Sequence, residues 1–124
     1  PEFAVAETMS VEQLENLTQD DCFHYAYQLY QYADHIAWQR SSAENVVRWC
    51  KDSLGSIVAS EVAEIEVQFM KYETKVDLIK RNNIIAKNIN EWLMTAESRL
   101  EMLKSREYNV RRKADILIEK GKRK

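Results

Sequence analysis

The sequence predicts an all-α protein: long antiparallel helices forming a helical hairpin or bundle with coiled-coil-type packing, joined with other copies of itself in an oligomer. Three observations predict it. The 124 residues contain only two glycines and one proline, the residues that punctuate strands and turns. Hydrophobic residues make up 45% and charged residues 31%, enough apolar character for a core. Apolar residues recur at alternating three- and four-residue steps, the period of a helix face.

In chain order, Pro1-Glu2-Phe3 reads as a cloning remnant, because Glu-Phe is what a common restriction site encodes. Residues 1–17 form that remnant and an acidic arm, and residues 18–124 form a single helical domain. Val11, Leu14 and Leu17 suit a short amphipathic turn or two. Thr18-Gln19-Asp20-Asp21 reads as a helix start. The Thr18 hydroxyl can accept from the backbone N–H three residues on, and acids in the first turn suit the helix dipole.

The first long helix is expected over about 19–54. Its stripe is Cys22, Tyr25, Leu29, Tyr32, Ile36, Gln39, Ala43, Val46 and Cys50, interrupted only by Gln39. Phe23, Tyr27, Tyr30 and Val47 widen it to a bundle face. Gly55 offers a left-handed helix end. The alternative is a helix continuing through Gly55, at about 1 kcal/mol relative to Ala.

A second helical region is expected over about 57–120. Its stripe runs Val62, Ile65, Phe69, Tyr72, Val76, Ile79, Asn83, Ala86, Ile89, Leu93, Ala96, Leu100, Leu103, Glu107, Val110, Ala114 and Leu117. Ala86 to Ile89 repeats a three-residue step, a stammer that overwinds or bends a coiled coil. It falls beside Asn82, Asn83, Asn88 and Asn90, so a break is expected within 82–90. One unbroken helix is the alternative. Asn83 is read either as a register-setting polar residue in the seam or as a residue at a kink. A stripe this long exceeds what one shorter helix could cover, which points to homo-oligomerisation.

The chemistry of catalysis is missing, and the chain is read as no enzyme with no cofactor and no metal. His24 and His35 are eleven residues apart, roughly 16 Å along a helix and too far for one metal. Phosphate loops, zinc spacings and nucleophile elbows are absent. Glu61, Glu64 and Glu66 have no Glu-x-x-His companion. Cys22 and Cys50, roughly 42 Å apart on one helix, read as reduced buried thiols, which suits a cytoplasmic protein. A run of about 18 apolar residues is lacking, so no membrane span is expected.

The net charge of −2 hides a polarity. The N-terminal end carries Glu2, Glu7, Glu12, Glu15, Asp20 and Asp21. The C-terminal end carries Lys104, Arg106, Arg111, Arg112, Lys113, Lys120, Lys122, Arg123 and Lys124. These nine are the candidate nucleic-acid-binding residues, a helix flank able to meet phosphates. The competing account is electrostatic pairing between the chain's own ends or between subunits. The candidate core or oligomer residues are Tyr25, Leu29, Tyr32, Ile36, Val62, Ile65, Phe69, Val76, Ile79, Leu93, Leu100 and Leu103.

Two stretches of the C-terminal half carry a family resemblance. One is Lys71-Tyr72-Glu73 through Val76, leading into a polar helix with a lone tryptophan, Trp92. The other is Leu103-Lys104-Ser105-Arg106-Glu107-Tyr108-Asn109-Val110-Arg111, which is similar to a late K/N-S/N-R-G-F-x-I-K segment. The chain thereby resembles the UvsY-type recombination mediators of bacteriophages. Glu107 departs from the pattern, standing where that family has glycine. The resemblance implies a small helical subunit in a ring-like oligomer that binds single-stranded DNA through basic residues. It also implies help in loading a recombinase onto DNA covered by single-strand-binding protein, in the cytoplasm of the host. Lys104, Arg106, Arg111 and Arg112 would then contact phosphate. The alternatives are a structural or adaptor coiled coil without nucleic acid, and a small DNA-packaging subunit that binds duplex.

Overall fold

A computed structural model describes residues 10–63 and 71–124. Four helices occupy them: α1 (Val11–Glu15), α2 (Gln19–Val62), α3 (Tyr72–Asn82) and α4 (Ile84–Arg123). The described residues are all helix and connection, and a long helix packs against another. The expectations placed on Ile65, Phe69, Glu64, Glu66, Glu2, Glu7 and the three-residue remnant lie outside the described residues.

Helix α1 starts at a capping box: the Ser10 hydroxyl accepts from the Gln13 amide, and the Gln13 side chain accepts from the Ser10 amide. The α2 start follows the same chemistry. The Asp21 amide donates to the Thr18 hydroxyl at 3.1 Å, and the Thr18 amide donates to the Asp21 carboxylate at 3.2 Å. Two amides that open the helix are thereby satisfied.

Helix α2 does not stop at about Leu54. It runs through Gly55 to Val62, and no glycine has positive φ. Leu54 and Val58 are both buried and follow Cys50 at four-residue steps, so packing carries the helix across the weak position. The penalty of one glycine, about 1 kcal/mol, is smaller than the roughly 1.5–3 kcal/mol from burying each large aliphatic side chain. Ile57–Val62 therefore belong to the first long helix and not to the second helical region.

The break within that second region is at Asn83, whose backbone is extended (φ −84°, ψ 116°). Its amide still donates to the Ile79 carbonyl, closing α3. Its side-chain oxygen accepts from the Ala86 amide at 3.0 Å, opening α4. Asn83 thus sits at the corner and caps the helix that follows.

Contacts group the chain into two compact units. One unit comprises the residues through Ser41 together with Glu101–Lys124; the other is Ser42–Leu100. In the first, Ala26, Leu29, Ala33, Ile36, Val110, Ala114 and Leu117 form the core, with Leu14, Leu17, Tyr25, Tyr30, Tyr32, Leu103 and Ile118 against it. Cys22 is buried in this unit. Gly121 is buried too, because a Cβ there would stand 2.7 Å from Phe23 Cε1 and 3.1 Å from Cys22 Cβ.

In the second unit Ala43, Val47, Cys50, Leu54, Val58, Ile79, Ala86, Leu93, Ala96 and Leu100 are buried, with Val62 and Val76 half-buried. Trp49 and Trp92 meet with ring centroids 5.3 Å apart, and both are half-exposed. Phe23, Tyr27 and Tyr72, expected on apolar faces, are exposed. Helices α2 and α4 have 44 and 40 residues. The inequality of helix length that pointed to a covering subunit therefore does not arise.

Candidate nucleic-acid interface

The nine candidate cations belong to the first unit, eight on α4 and Lys124 just after it. Arg106, Lys113 and Lys120 recur every seven residues and so share one flank of the helix. Lys104, Arg106, Arg112, Lys113, Lys122, Arg123 and Lys124 are exposed, and Arg111 and Lys120 are half-buried.

Several cations are engaged within the unit. Lys104 pairs with Glu101 at 3.7 Å and Lys122 with Glu119 at 3.6 Å; such exposed pairs contribute about 0–1 kcal/mol and yield easily to another anion. The Arg106 guanidinium lies 5.6 Å from the Tyr32 ring centroid and reaches its hydroxyl at 3.5 Å, a cation–π contact. Lys124 Nζ donates to the carbonyls of Leu14, Glu15 and Leu17, where a cation suits the end of α1.

Arg111 is more firmly held. It donates to Asp34 at 3.0 Å and to Glu107 at 3.3 Å. Its pKa is raised: the Asp34 hydrogen bond favours the charged form, burial opposes it, and Glu107 adds to it. Glu107 accepts in turn from Arg40 Nε at 2.7 Å, and the Arg40 and Glu107 side chains are only 29% and 15% exposed. Burial works against the Glu107 carboxylate. The hydrogen bonds and charges of Arg40 and Arg111 together outweigh burial and hold its pKa below the usual carboxylate range. Beside this group the Tyr30 hydroxyl donates to the Asp115 carboxylate, which, with burial, pushes the Tyr30 pKa up.

The structure therefore brings together Arg40, Glu107, Arg111 and Asp34, of which the sequence had singled out only Arg111 as a functional residue. A signal for Arg40 was present. It lies four residues after Ile36 and three before Ala43, so it occupies a stripe position, whereas Gln39 had been read as the interruption. The departure of Glu107 from the family pattern has a partner in Arg40. Arg112, Lys120 and Arg123 have no ion-pair partner among the described residues.

Among the described residues, no three or more His, Cys, Asp or Glu side chains are placed to hold a metal ion. His24 contacts Gln28 at 3.1 Å and His35 stacks on Trp38. Cys22 and Cys50 are free and buried, and burial pushes the Cys50 thiol up. Among the described residues no helix is long and apolar enough to cross a membrane. The chain matches no protein-family model, no curated protein and no solved structure.

Proposed function

We propose that the chain is a non-catalytic helical subunit that assembles with copies of itself, binds single-stranded DNA and helps load a recombinase onto DNA covered by single-strand-binding protein. The observation that carries this reading is the flank of α4. Arg106, Lys113 and Lys120 repeat every seven residues, with Arg112 and Arg123 exposed on the same helix. Of the acids on the same helix, Glu107 is held by Arg40 and Arg111, and Asp115 accepts from Tyr30. A row of cations along one helix flank suits a phosphate backbone, and copies arranged in an oligomer multiply it. The resemblance to phage recombination mediators supplies the recombinase, the single-strand-binding protein and the host cytoplasm.

The packing proposed with it is antiparallel and coiled-coil-like. Gln19 reaches Gly121, Tyr30 reaches Asp115 and Arg40 reaches Glu107, so partners descend on α4 as α2 ascends. Exposed Ile84, Met94, Met102, Tyr108 and Ile116 on α4 support contacts between copies.

A second reading is a structural or adaptor assembly without nucleic acid. It is favoured by Arg111 and Lys124, whose hydrogen bonds go to Asp34 and to the carbonyls at the end of α1. The test is fluorescence anisotropy of labelled single-stranded DNA at about 50 and 200 mM salt, with duplex as comparator and light scattering for assembly size. The mediator reading expects binding by an oligomer, preference for single strands and an affinity loss of at least about tenfold between the two salts. Charge reversal of Arg112 and Arg123 should weaken binding without changing assembly size. Absence of binding at low salt rejects this reading in favour of the adaptor, and preference for duplex favours a packaging subunit.

A further inference from the structure

We infer that the flank of the second unit on which Trp49 and Trp92 meet is where two copies of the chain join, the tryptophans of each entering a recess on the other. The inference rests on the assembly of copies proposed above and names the surface that does it. The two indoles touch, with ring centroids 5.3 Å apart, yet are 51% and 50% exposed. Ser56 stands seven residues after Trp49 on α2, and Ile85 seven before Trp92 on α4, so both lie on the same side of the helix pair as the indoles. Both line a cavity of about 300 Å³, together with Ile57, Ser60, Glu61 and Asn83. One flank of the unit thus carries an exposed aromatic pair and, about 10 Å along the helix axis, a recess.

The chemistry of this flank selects a second copy as its occupant. From Trp49 it continues on α2 through Ser53, Ser56 and Ser60, and on α4 it runs through Ile85, Asn88, Trp92 and Thr95, both at three- and four-residue steps. None of these is charged, in a chain that is 31% charged; Asp52 and Glu91 border the strip at exposed positions. Aromatic residues with few charges are the composition of an interface core. A surface that meets its own copy across a twofold axis sets each residue near the axis against itself, so a charge there would meet its like. A neutral strip satisfies that condition, whereas a charged partner would be met by the opposite charge. Shape agrees. An axis midway between indoles and recess, near Ser53, lays the Trp49–Trp92 pair of each copy over the recess of the other. The recess also suits an indole. Ile57 and Ile85 supply apolar wall, and the Ser56 and Ser60 hydroxyls can accept from Nε1–H. Glu61, whose Oε1 accepts from Asn83 at 3.4 Å, has further lone pairs for the same purpose.

Two measurements on the full chain test this. In Trp38→Phe the tryptophans left are Trp49 and Trp92. Diluting that protein through its association range, with size followed by light scattering, should move tryptophan emission to the red as copies part and the indoles return to water. Separately, Ser53→Glu and Ser53→Lys each set like charges against one another across the axis. Each alone should weaken association at least about tenfold, and an equimolar mixture of the two should regain the native size. Circular dichroism checks that the variants fold; should they fail to, Asn88→Glu and Asn88→Lys, at an exposed position of the same strip, take their place. Dissociation with no change in emission, or charged variants that assemble as the native chain does, overturns the inference and leaves the assembly reading standing. A chain that stays a single copy at every concentration overturns both. Charged variants that keep their assembly but lose single-stranded DNA would assign the tryptophans to stacking on bases and overturn the inference as well.

Discussion

Replacing Glu107 with Ala removes the carboxylate on which two guanidinium groups converge. Its side chain is 15% exposed and accepts at 2.7 Å from Arg40 and at 3.3 Å from Arg111. A hydrogen bond to a charged group contributes about 1.5–3 kcal/mol. The Arg40 and Arg111 side chains, 29% and 38% exposed, recover part of this from water, and Arg111 keeps Asp34. A loss of about 2 kcal/mol is therefore expected at pH 7, roughly thirtyfold in the folding equilibrium. For a chain of this length that is roughly 6–12 °C in Tm. The pH dependence has a definite sign. The folded-state pKa of Glu107 lies below its ordinary value of 4.5, so its contribution is complete above that value. It is lost as pH falls through the lower folded pKa. Urea titrations of both proteins between about pH 2.5 and 7 should give stability curves that converge on acidification. A difference under about 0.5 kcal/mol at pH 7, or one that persists unchanged at the acid end, would refute the reasoning.

Three further substitutions probe the helices. Gly121→Ala should destabilise by about 1–3 kcal/mol, since its Cβ would lie 2.7 Å from the Phe23 ring and 3.1 Å from Cys22 Cβ; chemical denaturation of the variant checks it. Gly55→Ala should stabilise by about 1 kcal/mol, because the position is helical and nothing stands within 4 Å of the new methyl; an unchanged or lower denaturation midpoint counts against that account. Thr18→Ala removes the acceptor for the Asp21 amide and should cost about 1 kcal/mol, with faster amide exchange at Asp21 observed by NMR.

What could be read from the sequence follows the range of the forces involved. The cap at Thr18 and the corner at Asn83 are set by residues within three or four positions, and both were legible. Gly55 was not legible as helix interior, because local propensity is outweighed by the burial of Leu54 and Val58 against another part of the chain. The alanines Ala26 and Ala33 carry little hydrophobic signal of their own, yet both are fully buried. The stripe was therefore drawn through Tyr25 and Tyr32, which are half-buried flanks. The basic flank was visible as composition, but its partners were not. Arg111 meets Asp34 across 77 positions and Arg40 meets Glu107 across 67, and no local pattern announces an ion pair over such a separation.

Those separations bear on the order in which the chain can acquire its structure. Glu61 and Asn83 meet across 22 residues, whereas Gln19 and Gly121 meet across 102. Closing the longer loop from an unstructured chain costs about 1.4 kcal/mol more than closing the shorter one. Contacts beside the Asn83 corner are thus favoured to form early, with pairing advancing toward the chain ends as each step shortens the next loop. Arg40 and Glu107 are reached partway along that advance. Their ion pair is therefore added to a helix pairing already begun at the corner.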